Sequence, residues 1–228
     1  MTGTALSEET DPAVMSAADG VALLADAPWT RMAVIGDSIA EGVREPVPGY
    51  RDLSWTDRVE EVLGTVTPGF GALNLGRRGA LVAEVAAEQL GPALAFGPDL
   101  AIVTAGGNDM LLPEFDAEGV RRGLASLVSA LRATGADVVT IGLLDITVSG
   151  LVPDPYRERL SARTRRLGAL TAEVSAEFGG VHVPHPPDHP LAADPGIYST
   201  DLLHLNARGH AFAAANTVRA LAAHLASA

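Results

Sequence analysis

Short, nearly continuous apolar runs alternate with longer amphipathic stretches from residue 29 to the end of the chain. That alternation predicts βαβ units and a parallel sheet. The runs at 32–36, 72–75, 100–104, 138–143 and 181–183 read as strands. The first, third and fourth are rich in Val and Ile and nearly free of polar residues, as strands buried on both faces are. The stretches at 55–63, 81–94, 117–133 and 156–178 read as helices, and a last helix is predicted at 207–225. Asn206 is placed to cap that last helix, and Gly135 sits where a helix must stop before the fourth strand. Ahead of these elements, residues 1–12 read as a frayed tail. Ser16 then caps a short helix running to Leu24, and Pro28 breaks the chain. The Pro-rich segments 45–50 and 184–195 read as irregular loops between closely flanking elements. There is no internal repeat. The expected division is residues 1–28, a tail with a short helix, and residues 29–228, a single domain. The predicted class is α/β: a three-layer α/β/α sandwich with a five-stranded parallel sheet in flavodoxin-like order.

Composition narrows the partners. Of 228 residues, 47% are apolar and 19% charged, ample for a core and incompatible with global disorder. The formal net charge is −12, and all 16 basic residues are arginine. Nucleic acids and anionic membranes are themselves anions, so neither is an expected partner. The absence of cysteine removes disulfides, thiolate metal sites and cysteine nucleophiles together. No basic start followed by an apolar run marks a leader, and no stretch reaches membrane-spanning length. A soluble, cytoplasmic monomer is expected.

Right-handed crossovers bring the C-terminal ends of all parallel strands to one edge of the sheet, where open α/β sheets bind ligands. The polar residues that follow the strands are therefore informative. Gly36, Asp37 and Ser38 follow the first strand. Asn74 to Gly79 follow the second, and Gly106, Gly107, Asn108 and Asp109 the third. Asp201 to His204 precede the last helix. Each group alone is ordinary turn chemistry. Together they supply the parts of an acyl-transfer site. A serine hydroxyl needs a base, and histidine has the pKa to take its proton and return it to the leaving group. A carboxylate on the second ring nitrogen fixes the tautomer and stabilises the imidazolium. Asp201 and His204 are close enough in sequence to meet. The backbone N–H groups of Ser38 and Gly79 and the Asn108 amide supply three donors for a tetrahedral oxyanion. Glycine at 79 suits close approach of a substrate to the backbone.

These four blocks, in this order, resemble those of the SGNH hydrolase superfamily, also called the GDSL lipase/esterase family. They span residues 36–204, and the segments around them are similar to small actinobacterial members. The resemblance implies catalytic Ser38, His204 and Asp201, with an oxyanion hole of Ser38, Gly79 and Asn108. It also implies no metal or other cofactor, and hydrolysis of an ester through an acyl-enzyme. Two departures are visible: Ile39-Ala40 where many relatives carry Leu or Ile followed by Thr, and Arg77-Arg78 beside Gly79 where small or apolar residues are common. The first is local and leaves the catalytic atoms unaffected, and the second bears on substrate class more than on activity.

The remaining polar residues have ordinary readings. Asp37 braces the turn after the first strand, and Asp109 caps the helix or turn after Asn108. Arg77 and Arg78 are candidate substrate contacts through their position beside Gly79, against a reading as solvated charges. His182, His185 and His189 have metal-like spacing, but Pro184, Pro186, Pro187 and Pro190 forbid a helix there, and a surface or pocket-wall role is expected. His210 and His224 read as structural, and Trp55 as a core anchor at a helix start. Loops 42–54, 144–156 and 184–200 are expected around the mouth of the site. The expected function is a serine ester hydrolase acting on a small-molecule ester with a small or medium acyl group. That includes deacylation of a sugar or secondary metabolite. The alternatives are an acyltransferase using the same residues, or a non-catalytic binding module. The Gly-rich loop of a nucleotide-binding fold is absent after the first strand.

Overall fold

The computed structural model of the protein describes residues 6–186 and 189–227. Residues 1–5 of the expected tail and Pro187 of the proline-rich loop lie outside them. The chain runs α1 (Ala17–Leu23), β1 (Arg31–Gly36), α2 (Ser38–Glu41), α3 (Trp55–Val66), β2 (Gly71–Asn74) and α4 (Val82–Glu84). A π-helical segment (Val85–Gln89) leads to α5 (Leu90–Phe96), β3 (Leu100–Thr104), α6 (Gly107–Leu111), α7 (Ala117–Arg132) and β4 (Asp137–Ile141). A 3₁₀ turn (Ile146–Ser149), α8 (Asp154–Glu177), β5 (Val181–Val183), 3₁₀ turns at Pro190–Ala193 and Pro195–Ile197, and α9 (Ala207–Leu225) complete it.

The five strands form one parallel sheet in the order β2-β1-β3-β4-β5, the flavodoxin-like order expected. In β1, β3 and β4 nearly every residue is buried, because helices cover both faces. Successive side chains alternate between two cores. Met32, Val34, Leu100, Ile102, Val139 and Ile141 face the layer of α1, α3 and α9. Ala33, Ile35, Ala101, Val103 and Val138 face the layer of α5, α7 and α8. The edge strands β2 and β5 are short and less enclosed.

Two sequence expectations need correction. The predicted helix at 81–94 is not one regular helix: residues 85–89 widen into a π turn. Pro92 cannot donate to the carbonyl of Glu88, and its ring crowds that carbonyl. The widened turn just before it absorbs the conflict. Nor are residues 6–12 frayed. The Glu8 carboxylate pairs with Arg58 at 2.6 Å and with Arg51 at 3.1 Å, and its backbone N–H bonds Gly49. Asp11, nearly fully buried, accepts from Tyr50 Oη at 2.6 Å and from Arg208 at 2.7 Å. Partners 39 to 197 residues away in sequence make these contacts, and local patterning carries no trace of them.

Candidate active site

Ser38 is the first residue of α2, immediately after β1. Asp37 caps this short helix by accepting from the Ile39 N–H at 3.0 Å. As the opening residue, Ser38 has a backbone N–H with no intrahelical partner. The segment is held from several sides. The Gln89 amide accepts from the Gly36 N–H at 2.7 Å and donates to the Gly36 carbonyl at 2.9 Å. The π turn presents Gln89 to this strand end. Asn74 donates to the Ala40 carbonyl at 2.7 Å, and Trp55 Nε1 to the Ile39 carbonyl at 2.7 Å. Gly76 lies so close to α2 that a Cβ there would stand 2.2 Å from the Glu41 nitrogen.

The His204 Nε2 lies 2.7 Å from Ser38 Oγ, and its Nδ1 lies 2.6 Å from Asp201 Oδ2. A tight hairpin delivers the histidine: Tyr198 and Leu205 bridge antiparallel, and the Ser199 N–H bonds the His204 carbonyl at 2.8 Å. Leu202 at its tip adopts φ +56°, a left-handed conformation uncommon for leucine. Thr200 is tied to Glu45 through backbone and hydroxyl, joining the hairpin to the loop after α2. Asp201 Oδ1 accepts from the N–H groups of Leu203 and His204, both at 3.0 Å, which aims the other oxygen at the imidazole. Partial burial alone would raise the Asp201 carboxyl. The His204 backbone N–H, the His204 ring and the Leu203 N–H outweigh it and hold the carboxyl below the usual range.

The Ala80 N–H bonds the Arg77 carbonyl at 3.1 Å, closing a turn in which Gly79 has φ +79°. The left-handed φ, and not crowding, favours glycine here, since a Cβ would meet no protein atom within 4 Å. The third position of such a turn keeps its N–H out of the closing bond. Asn108, in the first turn of α6, gives one amide hydrogen to the Ala80 carbonyl at 3.0 Å. Its second amide hydrogen is not used in that bond. Asp109 does not cap its own helix, as expected from sequence. It accepts from the Val82 N–H at 3.0 Å and so joins α6 to the start of α4.

Beside Ser38 opens a largely apolar pocket with a cavity volume of about 130 Å³. Met110, Leu143, Leu144, Ile146 and Leu160 form much of its wall. The three expected loops each contribute: Val43 from the first, Leu144 and Ile146 from the second, His185 and Tyr198 from the third. The wall after β4 is fixed by buried Asp145, which accepts from the Thr147 N–H, the Thr147 hydroxyl and the Ser161 hydroxyl. Neither Arg77 nor Arg78 lines the pocket. Arg77 faces Glu84 and Glu88 at 3.5 and 3.2 Å on the surface, and the Arg78 N–H bonds Glu41. Among the described residues there is no cluster of three potential metal ligands, so the His182, His185 and His189 tract does not form one. His210 is structural: Nδ1 accepts from the Trp55 N–H and Nε2 donates to the Val43 carbonyl. Sequence reasoning missed Gln89, Glu45 and Asp145. The one sequence signal near 89 is the proline at 92, which cannot continue a regular helix.

The fold is that of the SGNH class of hydrolases. The chain matches the GDSL-like lipase/acylhydrolase family over residues 34–212 and belongs to it. It is therefore an enzyme acting on carboxylic ester bonds. No curated protein matches the chain. Among solved structures it is similar to TesA, with 22% identity and a TM-score of 0.66, over 84% of this chain and 97% of that one. LAE5, an alpha/beta hydrolase enzyme from the metagenome of Lake Arreo, Spain, superposes with TM-score 0.66 and 20% identity over 84% and 94% of the two chains. Axe2, an acetylxylan esterase from Geobacillus stearothermophilus, does so with TM-score 0.64 and 20% identity over the same shares. At these identities the solved structures speak to the fold. Among the described residues, no helix is long and apolar enough to cross a membrane.

Proposed function

We propose that the protein is a serine esterase that cleaves a small-molecule ester of a small or medium acyl group through an acyl-enzyme on Ser38. The observation that carries this reading is the unbroken relay from Ser38 Oγ through His204 to Asp201, at 2.7 and 2.6 Å. His204 Nε2 takes the serine proton as Oγ attacks the carbonyl carbon. Asp201 keeps the other nitrogen protonated and stabilises the imidazolium. The oxyanion is met by the N–H groups of Ser38 and Gly79 and by the Asn108 amide, donors fixed before substrate arrives. His204 then protonates the leaving alcohol, activates a water against the acyl-enzyme and returns the proton to Ser38. The apolar wall of Met110, Leu143, Leu144, Ile146 and Leu160 favours an acyl chain in the pocket. The net charge of −12 disfavours nucleic acid and anionic membranes as partners.

The test is hydrolysis of p-nitrophenyl esters from acetate to palmitate by the protein and by Ser38→Ala. Turnover is expected to peak at short or medium chains and to fall at least about 10³-fold in the variant. Retained turnover in a folded Ser38→Ala variant removes Ser38 as the nucleophile. Folded protein inactive on every ester removes the reading itself.

A further inference from the structure

Among the described residues eight large apolar side chains are exposed, and four of them form two leucine pairs, Leu111-Leu112 and Leu202-Leu203. One member of each pair, Leu111 and Leu203, lines the Ser38 pocket. Exposed apolar residues scattered singly need no explanation, whereas pairs at a catalytic mouth point to something that covers them. Leu202 and Leu203 immediately precede His204, on the hairpin that delivers it. They are 45% and 48% exposed. Both are held from the backbone: the Leu202 N–H bonds the Ser199 carbonyl at 3.1 Å, and the Leu203 N–H bonds Asp201 Oδ1 at 3.0 Å. Leu202 also keeps φ +56°, a conformation in which glycine or asparagine is less strained. Neither the backbone nor the solvent therefore favours leucine at this tip.

The chemistry of the site says what stands over these leucines. His204 Nε2, 2.7 Å from Ser38 Oγ, takes the serine proton and must then give it to the leaving oxygen. That oxygen is bonded to the carbon that Oγ attacks, so the alcohol departs past His204 and the two residues before it. The enclosed apolar part of the pocket is thereby left to the acyl group. We infer that Leu203, together with Leu202 and Leu111, forms the subsite for the leaving alcohol, and that the preferred substrates are esters of apolar alcohols. The inference rests on the ester-hydrolase reading above and narrows it. An alkyl group laid on the leucines removes apolar surface from water on both partners. A sugar or other polyol gains little, because each hydroxyl taken from water needs a new partner. The polar side chains near it are engaged. Tyr198 donates to the Ala192 carbonyl, both nitrogens of His210 are bonded to backbone, and Asp201 is held by His204 and the Leu203 N–H.

The experiment holds the acid constant and varies the alcohol, so that the acyl side of the pocket cancels. It compares kcat/KM for the methyl, butyl and hexyl esters of butanoic acid and for glycerol 1-monobutanoate, all below their solubility limits. The wild-type protein is expected to favour the hexyl over the methyl ester by about tenfold, and the butyl ester over the glycerol ester. Leu203→Ala removes most of one leucine, and Leu202→Asn suits the left-handed φ while removing the other. The hexyl-to-methyl ratio is expected to fall severalfold in Leu203→Ala and less in Leu202→Asn. Leucines that only positioned His204 would lower all rates together and leave the ratio unchanged. An unchanged ratio in both variants, or a wild type that prefers the glycerol ester, overturns the inference and leaves the esterase reading standing. A hexyl preference that arises only above the solubility limit overturns it too, in favour of docking on an aggregated lipid surface. Absence of Ser38-dependent cleavage of any ester overturns the esterase reading instead. A second measurement needs no variant: the acyl-enzyme formed from p-nitrophenyl butanoate is offered alcohols in competition with water. The alcohol oxygen attacks the acyl carbon, His204 takes its proton, and the bond to Ser38 Oγ breaks as Oγ receives that proton. Per mole, hexan-1-ol is expected to capture about tenfold more acyl group than methanol, as hexyl butanoate, and equal capture refutes the subsite.

Discussion

Asp37 offers a quantitative test of how this site is built. Its carboxyl is almost wholly buried at the start of α2, and burial pushes it up to about 7, with the nearby Asp109 charge adding to the rise. Backbone N–H groups of Ile39 and Gly107 oppose the shift without cancelling it. In the unfolded chain the same carboxyl titrates near an ordinary 3.8. Below about pH 4 both states hold the proton, and Asp37 contributes no pH dependence. Between about pH 4 and 7 the unfolded chain has lost the proton and the native state has not, so stability falls as pH rises. Above about 7 the cost is complete, and the interval between the two values corresponds to about 4 kcal/mol. Asp37→Asn removes the titration and keeps an oxygen to accept from the Ile39 N–H. Urea unfolding followed by circular dichroism from pH 4 to 8 is expected to show the variant gaining on the wild type by about 4 kcal/mol across that range. Groups remote from Asp37 titrate alike in both proteins and cancel in the difference. A gap that does not change with pH would refute the reasoning and mean that Asp37 is ionised in the native state throughout.

Two further outcomes follow from the geometry. Asn108→Ala is expected to lower kcat about 10²–10³-fold with little change in KM, measured on the best p-nitrophenyl ester. Gln89→Leu strips the Gly36 N–H of its partner while the Gly36 carbonyl keeps the Arg77 N–H. It is expected to cost about 1–3 kcal/mol in urea unfolding, and an unchanged midpoint would mean that Gly36 is satisfied without it.

The strands and most helices were legible because their signals are local. The third and fifth strands and the last helix fall at their expected residues, since runs of Val and Ile, an Asn cap and apolar periodicity act over a few neighbours. The fold class was legible for the same reason, because alternating elements and right-handed crossovers leave few topologies. The five residues proposed for catalysis were nameable because each sits in a block of distinctive composition, three of the blocks at strand ends and the fourth just before the last helix.

Distance in sequence marks what was not legible. Gln89 clamps Gly36 from 53 residues away, and the bond depends on a widened helical turn that periodicity reads as regular. Glu8 and Asp11 look like tail residues until Arg58, Tyr50 and Arg208 arrive from elsewhere in the chain. Asp109 resembles a local cap, yet it serves Val82. Arg77 lies beside Gly79 in sequence, but its side chain turns onto Glu84 and Glu88 and away from the pocket. His185 reads as one of three histidines in a proline-rich loop, and only the tertiary structure buries it, with Nδ1 on the Gly142 carbonyl and the ring edge-on to Phe212. Sequence by itself determined the elements, their order and the chemical parts on offer, since these follow from local propensity and composition. Tertiary structure alone decided which of those parts meet, at what distance and how deeply buried, since those quantities depend on contacts between segments the chain order keeps apart.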